Sequence, residues 1–170
     1  MKLSWPIKVF FITFLLAAAF SGTTNLVANV NIIALSIILV LVIFIGIIFD
    51  MIGVAALTSK KENFHAMASK KIKGAKEAIN LLNNANMVAT VCNDVVGDIC
   101  GIISGSFGAI LAISIAENTS LSLVISSIIV TAFISALTVG GKSYGKQRAI
   151  KNADKIIYRV ARIKKMLSIK

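Results

Sequence analysis

Three aspartates and one asparagine lie in segments of this chain that are otherwise apolar. Asp50 stands within the apolar run 47–53, and Asp94 and Asp98 stand four residues apart with Asn93 beside the first of them. Carboxylate and amide oxygens are the ligands that Mg²⁺ prefers in proteins. We therefore predict that Asp50, Asn93, Asp94 and Asp98 form a metal site for a divalent cation. Mg²⁺ would be the bound or transported ion, and we expect no organic cofactor.

The same aspartates admit two other interpretations, because the apolar cores of these segments contain no Lys or Arg. Burial disfavours a charged carboxylate, so protonated Asp94 and Asp98 would suit a proton-coupled carrier. Alternatively, the aspartates lie close enough to the cytoplasmic face to be hydrated or to meet lysines of the adjoining loop. The sequence leaves all three interpretations open.

The composition places these residues in a membrane protein. Of the 170 residues, 57% are hydrophobic and only 15% are charged, whereas a soluble domain has about 25% charged residues. Positions 9–49 contain no charged residue, and a membrane helix needs about 20 apolar residues. With two Cys and one His, the chain has no zinc spacing, phosphate loop or Ser-His-Asp set, so we expect it not to be an enzyme.

The apolar runs predict an all-α, polytopic membrane protein with about four transmembrane helices. We place these spans near residues 6–22, 30–57, 87–115 and 121–140, with polar islands at 21–25 and 117–120 between the members of each pair. The first span also resembles a signal peptide, and its cleavage would leave three spans. The transmembrane domain then covers residues 1–145, including a cytoplasmic amphipathic helix at 60–84, and a basic tail helix covers 146–170.

The basic residues predict the orientation of these spans. Sixteen of the eighteen Lys and Arg residues lie in the loop 59–85 and in the tail from residue 141, and the other two are Lys2 and Lys8. The turns at 21–29 and 116–120 contain none. By the positive-inside rule, this pattern predicts a multi-pass protein of the cell membrane with both termini in the cytoplasm. Because topology accounts for the net charge of +11, we expect no nucleic-acid partner.

Two basic segments have the periodicity of amphipathic helices. Apolar side chains recur every three or four positions over residues 62–83 and again over about 146–168. The predicted faces are Phe64, Ala68, Ile72, Ala75, Ile79 and Leu82 in the first, and Ile150, Ala153, Ile157, Val160, Ile163 and Leu167 in the second. Such helices bind anionic membrane lipid. The tail helix alternatively pairs with a copy of itself or packs on the helix at 62–83.

The third predicted span carries small residues along one side. Gly97, Gly101 and Gly105 form a G-x-x-x-G-x-x-x-G stripe, which favours close helix packing and is compatible with a dimer interface. Exposure of the backbone to a permeating ion is the alternative. Cys92 and Cys100 are eight positions apart on this helix, too far for a disulfide, and we expect them to be buried.

The order of these features resembles the transmembrane domain of the cyclin-M, CorB and CorC proteins, which are Mg²⁺ transporters or transport-linked proteins. The family's motif is approximately F-S-x-x-E-x-A-x-x-S, then a juxtamembrane helix, then I-G-N-x-x-x-N. The resemblance covers roughly residues 40–145 and is clearest over 49–58 and 89–96. It implies a homodimer with an inward-facing, acidic, metal-binding cavity. Asp50 and Asn93 are the site positions that match the motif. Asp94 and Asp98 are not carried over from the motif, and we include them because they are carboxylates within an apolar span.

Several departures from that motif bear on function. Asp50 stands at the motif's serine, Gly53 at its glutamate and Gly97 at its second asparagine. The family's G-E-x-x-P-K sequence near the end of the fourth span corresponds to residues 140–146, which lack the glutamate and the proline. The CBS-domain pair that members usually carry is absent from these 170 residues. The departures favour an alternative function, a non-transporting membrane scaffold that binds anionic lipid or another membrane protein.

Overall fold

The computed structural model describes residues 5–27 and 31–167, and within them the chain is helical and contains no strand. A short π-helical turn, Thr90–Val96, separates the fifth helix from the sixth. The helices are α1 (Trp5–Val27), α2 (Ile32–Thr58), α3 (Lys61–Ser69), α4 (Ala75–Asn83), α5 (Ala85–Ala89), α6 (Gly97–Asn118), α7 (Leu123–Lys151) and α8 (Ala153–Leu167). The predicted all-α class is confirmed.

Among the described residues, three helical stretches are long and apolar enough to cross a membrane. They are α2, the stretch Ala85–Asn118 that contains α6, and α7. Helix α1 contains a shorter apolar stretch, Val9–Ala19, and it continues through the polar island at 21–25 that was expected to end the first span. Large apolar side chains such as Phe14, Phe44 and Ile128 are exposed on these helices, as contact with lipid requires. The protein is therefore a polytopic membrane protein.

The chain divides into two compact units. One contains the chain up to Ile47 together with Val95–Gly141, and the other contains Ile48–Asp94 together with Lys142–Lys170. In the first unit, α1 packs against α6, and α2 and α6 share an apolar core made by Leu35, Leu39, Ile43 and Phe107.

Small residues allow close helix approach at several points of the first unit. A side chain at Gly108 would overlap Ile134, and one at Gly46 would lie 3.0 Å from the Cβ of Cys100. By contrast, Gly101 and Gly105 of the predicted stripe face open space. The stripe is therefore not used for packing within the described chain at those two positions. Cys92 and Cys100 are buried and form no disulfide, as expected.

The single amphipathic helix predicted over 62–83 is wrong, because the structure contains two helices there, α3 and α4. The chain turns between them, with Lys71 and Gly74 in left-handed conformations (φ 55° and 94°). A Cβ at Gly74 would lie 3.0 Å from the Cγ of Arg162, so both the backbone and its close neighbour favour glycine. Ile72, expected on the buried face, lies in this turn and is exposed.

The tail differs from its prediction in a similar way. Residues up to Lys151 continue α7, and a separate helix, α8, starts at Ala153 and packs on α4. Its buried face recurs every four residues, whereas the predicted face members Ile150, Ile163 and Leu167 are exposed. That face consists of Ala153, Ile157 and Ala161, continuing Ala149 of α7. The sequence pattern favoured the larger apolar residues, but alanines let α8 approach α4 closely.

Asp154 fixes the start of α8 to the turn between α2 and α3. Its carboxylate accepts hydrogen bonds from the hydroxyl of Ser59, the backbone N–H of Lys60 (3.2 Å) and the amide of Asn63 (2.6 Å). Partial burial opposes ionisation, but these hydrogen bonds and the charge of Lys60 outweigh it. Together they lower the pKa of Asp154 below its ordinary value. The carboxylate therefore stays charged and holds the two segments together.

Candidate functional site

Asp50 is a buried carboxylate in α2, with only 4% of its surface exposed. The Nζ atom of Lys146 lies 3.7 Å from its Oδ2 atom, a distance that allows an ion pair but is too long for a good hydrogen bond. Lys146 lies on α7, beyond residue 140, where the sequence placed the end of the fourth span. Asp50 thus meets a lysine, but the lysine comes from α7 and not from the adjoining loop that the sequence analysis considered.

Asn93 lies in the π-helical turn Thr90–Val96, a rare geometry that is frequent at functional sites. Its side-chain amide packs directly against α2 at Gly53, where any Cβ would overlap it. Gly53 is three residues beyond Asp50 in α2, and residues three apart lie on the same side of a helix. The structure therefore brings Asn93 to the side of α2 that carries Asp50.

Two buried oxygens in this region lack a hydrogen-bond partner. They are Oδ2 of Asp50 and Oδ1 of Asn93. A buried polar atom without a partner costs about 1–3 kcal/mol, so native structures contain few of them, and a bound ion is one way in which such atoms are satisfied. Both atoms are acceptors, which means that a donor or a cation would satisfy them. This pair is the strongest candidate site in the second unit.

Asp94 and Asp98 occupy different surroundings from Asp50. Asp94 is exposed in the π-helical turn, and Asp98 is exposed in the first turn of α6. Within residues 5–27 and 31–167, no group of three or more His, Cys, Asp or Glu side chains is arranged to hold a metal ion. Of the four predicted site residues, Asp50 and Asn93 therefore lie on the same side of α2, whereas Asp94 and Asp98 are exposed.

Lys146 is the site residue that the sequence analysis missed. The sequence contains a signal that could have identified it. Residues 140–146 lack the proline of the family motif, and a proline there would interrupt the helix. Without it, α7 continues through Gly140 and Gly141 to Lys151. The extra turns carry Lys146 to Asp50.

The second unit also contains an open cavity of about 480 Å³ beside the junction of α4 and α5. Asn83, Asn84, Asn86 and Ser59 contribute its polar lining. None of the four predicted site residues lines it. The cavity and the pair of unpartnered oxygens are therefore separate features.

A comparison with protein-family models decides the family. The model described as the cyclin M transmembrane N-terminal domain matches residues 37–169, more than three quarters of the chain. The chain belongs to the cyclin M transmembrane domain family. In this cyclin M protein the match includes α8 as well as the region 40–145 that carried the resemblance. No curated protein and no solved structure matches the chain significantly.

Proposed function

We propose that this cyclin M protein binds a divalent cation, Mg²⁺ or a similar ion, and moves it across the cell membrane. The observation that carries the proposal is the pair of buried, unpartnered oxygens on Asp50 and Asn93. Mg²⁺ takes oxygen ligands and keeps several waters, so one carboxylate and one amide are sufficient protein ligands near it. In this proposal the cation is the cargo of the protein and plays no catalytic role.

Asp94 and Asp98 have a different part in this proposal. Both are exposed, so a cation can reach these carboxylates without a change in the packing of the helices. They would attract the ion electrostatically and supply further oxygen ligands during its passage. Movement then requires a change of access between packed helices and no covalent step. By family membership we expect the working form to be a homodimer. The distribution of basic residues further predicts that both termini are in the cytoplasm.

Thermal unfolding of the detergent-purified protein tests the binding step. A ligand that binds only the folded state stabilises it by about 2.7 kcal/mol at one hundred times its Kd, so Mg²⁺ should raise the Tm of the wild type. Asp50→Asn and Asn93→Ala should each abolish most of this rise. Asn86→Ala removes an exposed asparagine and serves as the control. An equal rise in Tm in all of these variants would contradict the proposed site.

The same unfolding experiment can test whether the exposed carboxylates of Asp94 and Asp98 contribute to Mg²⁺ affinity. Asp94→Asn and Asp98→Asn should raise the Mg²⁺ concentration needed for half of the Tm rise, while the full rise remains reachable. Unchanged half-points in both variants would show that these aspartates are solvated surface residues with no part in binding.

One observation favours a second function, that of a non-transporting membrane scaffold. Lys146 already lies near the carboxylate of Asp50, so the site is partly neutralised without a metal ion. The outer side of α8 combines the exposed residues Ile163, Met166 and Leu167 with basic residues, a composition suited to anionic lipid. Uptake of Mg²⁺ into proteoliposomes separates the two functions. A transporter gives uptake that Asp50→Asn abolishes, and a scaffold gives none.

A further inference from the structure

The ion pair between Lys146 and Asp50 joins two groups with very different surroundings. The carboxylate of Asp50 is 5% exposed, whereas 51% of the Lys146 side chain is exposed. The ammonium therefore approaches Asp50 from the protein surface on a long, flexible stem. The ammonium can move away without disturbing the helix core, whereas the buried carboxylate of Asp50 cannot move with it.

The ammonium lies at the oxygen that a cation would need. The contact is to Oδ2 of Asp50, which has no hydrogen bond. At 3.7 Å the ammonium attracts the carboxylate by charge and leaves its lone pairs free. A metal ion bound at this oxygen would be repelled by the ammonium at such a distance. Binding of a cation and pairing of Lys146 with Asp50 therefore exclude each other.

We propose that Lys146 is a tethered counter-ion that a cation must displace, and that it sets a charge threshold which excludes monovalent ions. This inference rests on the proposed cation site. A monovalent ion offers the carboxylate no more charge than the ammonium already supplies, and it lacks the advantage of being tethered. A divalent ion offers twice the charge. Lys146 thus determines specificity for the charge of the ion, although it never binds the ion.

The experiment compares variants of Lys146 in the full-length protein purified in detergent. Lys146→Met removes the charge and keeps the apolar stem, and Lys146→Gln repeats the test if the first variant does not fold. Lys146→Arg keeps the charge. Lys151→Met removes an exposed lysine of the same helix that forms no ion pair in the described part of the chain, and it is the matched control. Each protein is titrated with MgCl₂ or NaCl at constant ionic strength, balanced with N-methylglucamine chloride, and its Tm is recorded.

We expect Lys146→Met to lower the half-saturating Mg²⁺ concentration by about fivefold or more, the lower end of typical couplings between two binding events. In this variant Na⁺ should also raise the Tm and compete with Mg²⁺, which it should not do in the wild type. Lys146→Arg and Lys151→Met should behave like the wild type.

Three results would overturn the inference. If Lys146→Met responds to Mg²⁺ and Na⁺ as the wild type does, the threshold is wrong while the proposed function stands. If Lys151→Met gives the same gain as Lys146→Met, the effect is one of general charge, and the specific role of Lys146 is wrong. If neither the wild type nor any variant responds to Mg²⁺, the proposed function itself fails, and the threshold fails with it.

Discussion

Gly53 shows how the absence of one side chain shapes the site. The family motif has a glutamate at this position, and here the amide of Asn93 occupies the space that a side chain would need. The nearest carboxylate of α2 stands one turn earlier, at Asp50. The two departures from the motif therefore belong together, because Gly53 admits Asn93 to the side of α2 on which Asp50 lies.

Gly53→Ala should disrupt this arrangement. Alanine gains about 1 kcal/mol over glycine in a helix, but the overlap with Asn93 costs about 1–3 kcal/mol, so we expect the Tm to fall or stay level. We also expect the displaced amide to weaken the rise in Tm with Mg²⁺. Gly105→Ala is the control because Gly105 faces open space, and it should raise the Tm. A higher Tm with unchanged Mg²⁺ response in Gly53→Ala would contradict the account.

Asp154 makes the attachment of α8 sensitive to acid. Because its pKa is lowered in the folded protein, its contribution is complete above the unfolded value of about 3.9. The contribution is lost as the pH falls through the lower folded value. Asp154→Asn cannot accept the hydrogen bond from Asn63 through its amide nitrogen. It should cost about 1 kcal/mol at neutral pH, less than the about 1.5–3 kcal/mol of buried charged hydrogen bonds, because the carboxylate is partly solvated.

The Tm difference between the wild type and Asp154→Asn, measured from pH 7 down to about pH 3, checks this prediction. The difference should shrink only below about pH 4. Glu62→Gln is the control, since Glu62 is exposed in the first turn of α3. A difference that is absent at pH 7, or that grows in acid, would contradict the role of Asp154.

At the scale of elements, the candidate site depends on the length of α7 and on the π-helical turn before α6. In both places small or polar residues interrupt the apolar sequence. They are Gly140 and Gly141 in α7, and Asn93 and Asp94 in the turn. The length of the apolar runs predicted the existence of every long helix, because a membrane helix needs about 20 apolar residues. It could not predict that α7 runs on to Lys146, because the extra turns are polar.

The packing of α8 on α4 gives a direct test of the corrected buried face. Ile157 is fully buried and Ile163 is 58% exposed, although the sequence pattern placed both on the buried face. Ile157→Ala should cost about 2–5 kcal/mol, and Ile163→Ala should cost less than about 0.5 kcal/mol. Limited proteolysis and thermal unfolding would measure both changes. Equal losses of stability in the two variants would show that Ile157 and Ile163 are buried alike, as the sequence pattern predicted.

At the scale of the whole molecule, the charge of +11 is concentrated on a few segments. In the second unit, the loop and tail that hold most of the basic residues form α3, α4 and α8, which pack together. The clustering of lysines and arginines could be read from the sequence. The buried face of α8, which consists largely of alanines, could not be read in the same way. Small residues give a weak apolar signal, and long-range packing determines whether they are buried.

The predicted orientation can be tested with single cysteines in a Cys92→Ala/Cys100→Ala background. Thr119→Cys lies in the exposed turn between α6 and α7, and Lys155→Cys lies on the exposed side of α8. In intact cells a membrane-impermeant maleimide should label the first and spare the second until the membrane is permeabilised. Labelling of the second cysteine alone in intact cells would show that the orientation is the opposite of the predicted one.

Of the four predicted site residues, only Asp50 and Asn93 have a buried oxygen without a hydrogen bond, and the sequence could identify their types but not their surroundings. Burial of Asp50 depends on helices distant along the chain, and the approach of Asn93 depends on the π-helical turn and on Gly53. Asp94 and Asp98 fitted the same chemical pattern but lie exposed. Residue type suggested the chemistry, whereas tertiary packing determined which of these side chains are buried and which are exposed.

The most direct test of the cation site is an experimental structure of the protein soaked with Mn²⁺, which replaces Mg²⁺ at oxygen sites and gives anomalous scattering. The account predicts an anomalous peak about 2.1 Å from Oδ2 of Asp50 and Oδ1 of Asn93, with the ammonium of Lys146 moved away. A Lys146–Asp50 pair that remains intact at saturating Mn²⁺, with no peak between Asp50 and Asn93, would contradict it.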